Sequence, residues 1–454
     1  MIPVVSVDEM AAFDAAAMEA TSHDELVRRA GYALAMGARR LLGTLSGRRV
    51  CVLAGPGSNG ADGQVCAAVL RRRGAKVWVV APNAEREELE GAELVIDAAY
   101  GTGLSRDYLA PEVPEGALVL ACDLPSGLDG DTGAAHGRPL TADATVTMAA
   151  IKSGLLLSEG PELAGRLEVA EIGIPTPGVE MGLIEDADLS EIPVRQRSDH
   201  KWSAAVVALS GSAGMEGAAA LCAEGALHAG AGMVRVVTTG ELEALPVEVV
   251  ARQVEGAQLA EVTLAEAQRA GAIIIGPGLG QEPVAQAAVR QVLEHRSAPV
   301  VLDADGLSAV GTLDELARLV ALRTPGVVCT PHDGELARLL GRFVGPDRLE
   351  RLRDAAAQSG AVFLSKGPTT LIVAPSGAAR FVTAGTPALA TAGTGDVLAG
   401  VIAALMARGL EPFEAAALGA QLHGTASRRA SGTLVAGSLG ELIGEVLEEV
   451  DRGR

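Results

Sequence analysis

Short, continuous apolar runs recur along the chain, each opening into a loop of glycine, serine or acidic residues and then into a stretch with apolar residues at helical spacing. Uninterrupted apolar runs are what strands show when helices cover both faces of a parallel sheet. Val50 to Ala54 is the first such strand; it runs into GPGSNGADG, Gly55 to Gly63, and a helix ending near Arg73. Strands follow at Lys76 to Ala81, at Glu93 to Ala98 before YGTGLSR, and at Ala117 to Cys122 before DLPSGLDGDTG. Ahead of them, Val7 to Leu42 carries helical spacing, with Ser22 or Asp24 as N-caps. Between Pro175 and Gln196 proline, glycine and acids mix without period, which marks a boundary between residues 1–190 and 195–454. A second series then begins. Strands are expected at Ala205 to Leu209, Gly271 to Ile275 (into GPGLG), Pro299 to Leu302 (into DADGL), Val327 to Thr330 (into PHDGE) and Ala361 to Leu364 (into SKGPTT). Val397 to Met406 reads as a helix after TAGTGD. The fold class is α/β in both halves, with loops at the carboxyl ends of strands, where open α/β sheets bind ligands.

Composition narrows the class. At 454 residues the chain needs two or three domains, and with 48% apolar but only 2% aromatic residues its interior must be Ala, Val, Leu and Gly. The net charge of -20 argues against a nucleic-acid backbone as partner and leaves small molecules. The cysteines, Cys51, Cys66, Cys122, Cys222 and Cys329, are odd in number and scattered in apolar runs, so they read as reduced, buried thiols of a cytoplasmic protein. No basic leader and no apolar run long enough for a bilayer is present, so no membrane is expected. A homo-oligomer is compatible with this composition but not demanded by it.

The loops carry the chemistry. In TAGTGDVLAG, a glycine turn feeding a helix leaves backbone N–H groups free at the positive end of the dipole, an anion site suited to phosphate. A carboxylate there, Asp396, is repelled by phosphate unless it serves as a general base for a substrate hydroxyl; the bland alternative is an acid complementing the dipole. Gly55, Gly57 and Gly60 match the dinucleotide fingerprint, yet the tip of the second strand reads Ala81-Pro82-Asn83 and lacks the ribose-binding acid, which weakens an oxidoreductase. Asn59, Asp97 and Ser126 come from adjacent strand ends, and one carboxylate among neutral oxygens suits a hard, weakly charged cation. Asp303 and Asp305 fit magnesium or substrate as well as they fit turns; Lys152 stays open between phosphate and surface.

GPGSNGADG, IDAAYGTGL, DLPSGLDGDTG and TMAAIKSGLL, in this order, resemble the NAD(P)H-hydrate epimerase domain over nearly all of residues 1–190. Ser58 stands where that family usually has Asn, and Ala61 where it has Gly. The resemblance implies a Rossmann-like, three-layer fold whose substrate site is lined by Ser58, Asn59, Gly60, Ala61 and Asp62, by Gly101, Thr102, Gly103, Leu104, Ser105, Arg106 and Asp107, and by Asp123. It also implies potassium on Asn59, Asp97 and Ser126. Asp123 is the acid/base candidate.

HKWSAAVVALSGSAGMEGA, GPGLG, VLDADGL, TPHDGELARL, SKGPTT and ATAGTGDVLAG resemble the ADP- or ATP-dependent NAD(P)H-hydrate dehydratases, relatives of the ribokinases, over residues 195–454. That resemblance places the hydrate on Ala218, Gly278 or Gly280, His332 and Asp396, and the nucleotide on Lys366, Gly367, Pro368, Thr369, Thr370 and Gly395, with magnesium. Asp396 becomes the catalytic base, and ADP the expected donor with ATP the alternative. Fusion has a physical sense: a chiral pocket with one fixed base takes one epimer, so a second domain must interconvert the two. A vitamin or sugar kinase and a nucleotide-sensing module are the rivals.

Overall fold

The computed structural model describes residues 1–104, 106–295, 298–322 and 326–454, in two compact units, Ile2–Met181 and Gly182–Arg454 with Met1. In the first unit six parallel strands lie in the order Arg166–Ala170, Ala144–Met148, Leu118–Cys122, Leu94–Ala98, Arg49–Ala54, Lys76–Val80. Their side chains alternate between two cores. Val50, Val52, Leu94, Ile96, Leu120 and Val146 pack with Leu34 and Leu70 of the helices His23–Leu42 and Ser58–Arg72. Cys51, Leu53, Val95, Val119 and Ala121 pack on the opposite face with Leu89, Tyr108 and Leu140. Both faces being covered is why these strands read as unbroken apolar runs. The four strands read from the sequence end within a residue of those observed, while Ala144–Met148 and Arg166–Ala170 were not placed by it.

The helical stretch from Val7 is two helices, Val7–Met18, which ends at Glu19, and His23–Leu42, which Ser22 caps, its Oγ accepting from the Glu25 N–H at 3.3 Å. Glycines then set how closely elements meet. A Cβ on Gly31 would lie 2.7 Å from the Asp62 carbonyl, and one on Gly60 1.8 Å from that of Gly55. The helix carrying Asp62 is thus pressed against both its helical neighbour and the loop that starts it.

The second unit has seven parallel strands in the order Val250–Gln253, Met233–Thr238, Ala205–Leu209, Ala272–Ile275, Val300–Leu302, Val327–Cys329, Val362–Ser365, followed by antiparallel Thr370–Val373 and Ala379–Val382. The sequence reading did not place four of these: Met233–Thr238, Val250–Gln253 and the antiparallel pair. The helix Thr394–Ala407 is buried at every position from Val397 to Ala407. Such a helix must pack on all sides. Against the helix Glu216–His228 it does so through Gly225 and Gly400, where added Cβ atoms would come within 2.3 Å of the Val397 carbonyl and 2.1 Å of the Cys222 carbonyl. It begins three residues before the expected Val397, so Asp396 lies in its first turn. All five cysteines are buried and free. Among the described residues, no helix is long and apolar enough to cross a membrane.

Candidate functional site

Gly393, at φ 90°, turns the chain into the helix Thr394–Ala407. Thr394 Oγ donates to the carbonyls of Leu389 (2.8 Å) and Thr391 (2.9 Å), and the Thr394 carbonyl accepts from His423 Nε2 at 2.9 Å. Sequence reasoning passed over His423, which sits in an apolar helix, Pro412–Ser427. Burial above all pushes its imidazole down to about 4, so the ring is neutral at pH 7 and the proton must be on Nε2, facing the carbonyl. The sign follows: below the ordinary imidazole value near 6.5 the unfolded chain takes up a proton the folded one refuses, so stability is lost as pH falls from there toward 4. The loss amounts to roughly 3 kcal/mol. Melting of wild type and His423→Gln at pH 7 and pH 5 checks this; the variant should lose less on acidification.

Asp396 is raised to about 7, first by burial and then by the charge of Asp303, with Lys366 opposing and Asp305 and Glu335 adding. Lys366 Nζ donates to Asp303 Oδ1 at 2.9 Å, and Asp303 is 2% exposed. Burial pulls the Lys366 ammonium down, but the carboxylates of Asp303, Glu335 and Asp396 outweigh it, so it is held charged. Gly395 lies against it: a Cβ there would stand 3.4 Å from Nζ. The structure therefore brings Gly395, Asp396, Lys366 and Asp303 together.

The loop from Lys366 to Thr370 is held by Arg348, a residue no motif marked, in the helix Arg348–Ser359. Its guanidinium donates to the carbonyls of Ser365 (2.8 Å), Lys366 (3.0 Å) and Thr369 (2.9 Å) and to Ser365 Oγ. A Cβ on Gly367 would meet Arg348 Nη2 at 2.9 Å. Within this loop Thr369 is buried while Gly367 and Pro368 are exposed.

The GPGLG loop packs by the same logic of close approach. A Cβ on Gly276 would fall 1.9 Å from the Asp303 carbonyl, and one on Gly278 2.8 Å from Ala218 Cβ, so Ala218 and Gly278 abut. Gly280 N–H donates to Asp305 Oδ2 at 2.9 Å. His332 caps the helix Asp333–Leu340: Nδ1 accepts from the N–H groups of Gly334 (3.0 Å) and Glu335 (3.3 Å), and the exposed ring turns Nε2 to within 3.6 Å of Glu335 Oε2.

In the first unit the strand ends open into a cleft of about 780 Å³. Ser58, Asn59, Asp62, Gly101, Thr102, Gly103, Leu104, Arg106 and Asp123 line it; Gly60, Ala61 and Asp107 do not, and Ser105 lies outside the described residues. Met10, Leu26, Met148, Ile172 and Ile174 form an apolar wall. Asp123, at φ 68°, accepts on Oδ1 from Lys152 Nζ in a short ion pair, from Met148 N–H (3.0 Å) and from Thr147 Oγ (3.2 Å). Lys152 is 1% exposed, which resolves the open choice: it is an internal partner, neither a surface lysine nor free. Its signal in sequence was only its place in an apolar run. Asp14, on the helix Val7–Met18, is a further cleft carboxylate the sequence did not flag.

Asp97 is wholly buried. Its carboxylate accepts from Ser126 Oγ (2.6 Å), Ser126 N–H (2.8 Å) and Ala99 N–H (3.3 Å), and burial still raises it above the usual range. Ser126 Oγ also reaches the Tyr100 carbonyl (3.0 Å), while Asn59 Nδ2 donates to the carbonyls of Tyr100 (3.2 Å) and Cys122 (2.9 Å). Asn59 and Ser126 thus meet at the Tyr100 carbonyl, and Ser126 ties Asp97 to them.

A family model described as NAD(P)H-hydrate dehydratase matches residues 206–448, and one described as YjeF-related protein N-terminus matches 23–90 and 80–154. The bifunctional NAD(P)H-hydrate repair enzyme of Moorella thermoacetica is 35% identical, covering 91% of this chain and 90% of its own length. The chain belongs to the bifunctional NAD(P)H-hydrate repair enzymes. The member from Mycobacterium tuberculosis is 37% identical over 91% of this chain and 90% of its own. Among solved structures, an ADP/ATP-dependent NAD(P)H-hydrate dehydratase from Bacillus subtilis, co-crystallised with ATP and Mg2+, is 30% identical with a TM-score of 0.50, covering 59% of this chain and 97% of that one. Membership settles the rivals raised by sequence: the chain is a repair enzyme of hydrated NAD(P)H with ADP/ATP-dependent dehydration, and its second unit has the ribokinase-like fold.

Proposed function

We propose that residues 1–190 interconvert the two epimers of hydrated NADH or NADPH, and that residues 195–454 dehydrate the S epimer by phosphorylating its ring hydroxyl. The observation that carries the second half is Asp396: a carboxyl raised to about 7 in the first turn of a buried helix is tuned to take a proton near neutral pH. Hydroxide is a poor leaving group and phosphate a good one. Asp396 removes the hydroxyl proton as the oxygen attacks the terminal phosphoryl, the N–H groups at Gly395 face the transferring charge, and the ring nitrogen then expels phosphate. Lys366, kept cationic by Asp303, and the loop Gly367, Pro368, Thr369 and Thr370 hold the nucleotide's phosphates; Ala218, Gly278, Gly280 and His332 border the hydrate.

Magnesium fits as an ion carried by those phosphates. Among the described residues no group of three or more His, Cys, Asp and Glu side chains forms a cage for it. It would spread the charge of the transfer. Potassium fits the first unit for a different reason: Asp97 is a fully buried carboxylate whose hydrogen bonds, among the described residues, come from Ser126 and Ala99, so a monovalent cation among Asp97, Ser126 Oγ, Asn59 and the Tyr100 carbonyl would balance it. The substrate would lie in the adjoining cleft, against Ser58, Asn59, Asp62, Gly101 to Leu104 and Arg106, with Asp123 at the ring.

The test is recovery of reduced-nicotinamide absorbance from a mixture of both epimers with magnesium and either ADP or ATP. Full recovery supports both assignments and names the donor; no recovery with either nucleotide sinks them. Arg348→Met probes the nucleotide loop: with the carbonyls of Ser365, Lys366 and Thr369 released, KM for the nucleotide should rise roughly tenfold or more while kcat changes less, measured by initial rates at saturating hydrate.

A further inference from the structure

Two of the carboxyls that face the cleft of the first unit, Asp62 and Asp123, are in opposite states of hydrogen bonding. Asp123 accepts from an ammonium, a hydroxyl and a backbone N–H, a donor set that stabilises an anion. Asp62, on the helix Ser58–Arg72, is 6% exposed, and among the described residues its one partner is the thiol of Cys122, whose Sγ stands 3.9 Å from Oδ2. A thiol is a weak donor, and an ionised carboxylate that deep in apolar packing would have almost nothing to replace its lost water.

We propose that Asp62 is the proton donor of the epimerisation, giving its carboxyl hydrogen to the departing ring hydroxyl while the carboxylate of Asp123 receives the proton of the incoming water. This rests on the assignment of epimerisation to the first unit. The carbon–oxygen bond of the hydrate breaks with its electron pair on oxygen, which leaves as water; the ring nitrogen's lone pair closes an iminium. Water then adds to the other face of that carbon, and its proton passes to Asp123. Return of one proton from Asp123 to Asp62 through solvent restores the start, so atoms and charge balance.

The carboxylates facing Asp62 favour its protonated form, with the weak hydrogen bond from the Cys122 thiol opposing them. Asp14 reaches it from the helix Val7–Met18 and Asp123 from the end of the strand Leu118–Cys122, both as like charges; the thiols of Cys66 on its own helix and Cys122 below it stay neutral; and the cation in reach, Lys152, is bound to Asp123. Burial first, then these carboxylates, push Asp62 up to about 8. A buried carboxyl with a thiol as its partner, beside one held by an ammonium, a hydroxyl and a backbone N–H, sorts with it into an acid and a base.

The experiment withholds nucleotide, so that dehydration is idle, and follows exchange between separated R and S hydrates by chromatography. Asp62→Asn should lower kcat for exchange by roughly 10²- to 10⁴-fold with KM moved less than about threefold, and with dehydration of the S epimer intact on adding nucleotide. A rate within about threefold of wild type, or a KM that rises in step with the loss, overturns the role. A route that spares Asp62 is the pH profile. Wild-type exchange should fall as pH rises through about 8, and Asp14→Asn, by removing a like charge, should move that limb to lower pH. A limb that does not move overturns the role as well. If the wild type exchanges no epimers at all, the assignment of the first unit fails, a result distinct from either of these.

Discussion

Asp396→Asn should abolish recovery of reduced nicotinamide while leaving nucleotide binding largely intact. The amide keeps the shape of the helix's first turn but cannot take a proton, so kcat should drop by roughly 10²- to 10⁴-fold, the usual worth of a positioned base. Nucleotide affinity, read by calorimetry with ADP or ATP and magnesium, should change little, because the loop held by Arg348 and the ammonium of Lys366 are untouched. Loss of binding together with turnover would make Asp396 a structural or binding residue instead. In the wild type, kcat should climb tenfold per pH step below about 7 and level off above it, since the base must first ionise. The same carboxyl costs stability. Its folded value lies above its ordinary 3.8, so its contribution is lost as pH rises from there through about 7, and Asp396→Asn should melt higher than wild type at pH 8.

Asp123→Asn should leave a mixture of epimers half-repaired in kind: the S epimer disappears and the R epimer stays, because the base that turns one into the other is gone. Chromatography of the residual hydrate after the absorbance stops rising reads this directly. A residue of both epimers, or none, would contradict it. The substitution also strips the charged partner from Lys152, 1% exposed, and breaking a buried pair from one side typically costs about 3–5 kcal/mol. A double variant, Asp123→Asn with Lys152→Met, should regain most of that stability without regaining exchange, which separates the chemical loss from the folding loss.

Much of this site was legible in the chain because it is written in local terms. Glycine turns at strand ends, the acid after TAGTG and the run SKGPTT are contiguous, and their chemistry depends on neighbours a few residues away. The oxygen cluster of Asn59, Asp97 and Ser126 could be drawn because parallel strands bring successive carboxyl ends to one edge. What escaped was set by contacts over long sequence distance. Arg348 holds a loop some twenty residues on, His423 fixes the start of a helix 29 residues earlier, and Lys152 answers an aspartate 29 residues before it. Each sits among residues whose pattern says only helix or apolar run, and nothing local distinguishes it from filler.

The sequence by itself determined the α/β class, the strands whose faces are both covered, the loops that carry chemistry and, through its motifs, the family. It did so because periodicity and turn composition are local consequences of backbone geometry. Only the tertiary structure decided the surroundings of the acids: that Asp396 is poised near neutrality by burial and Asp303, that Asp123 is paired with a buried lysine, and that burial and neighbouring carboxylates push Asp62 up. Those outcomes depend on which charges and dipoles share a low-dielectric space, and that is a property of the packed chain rather than of any stretch of it.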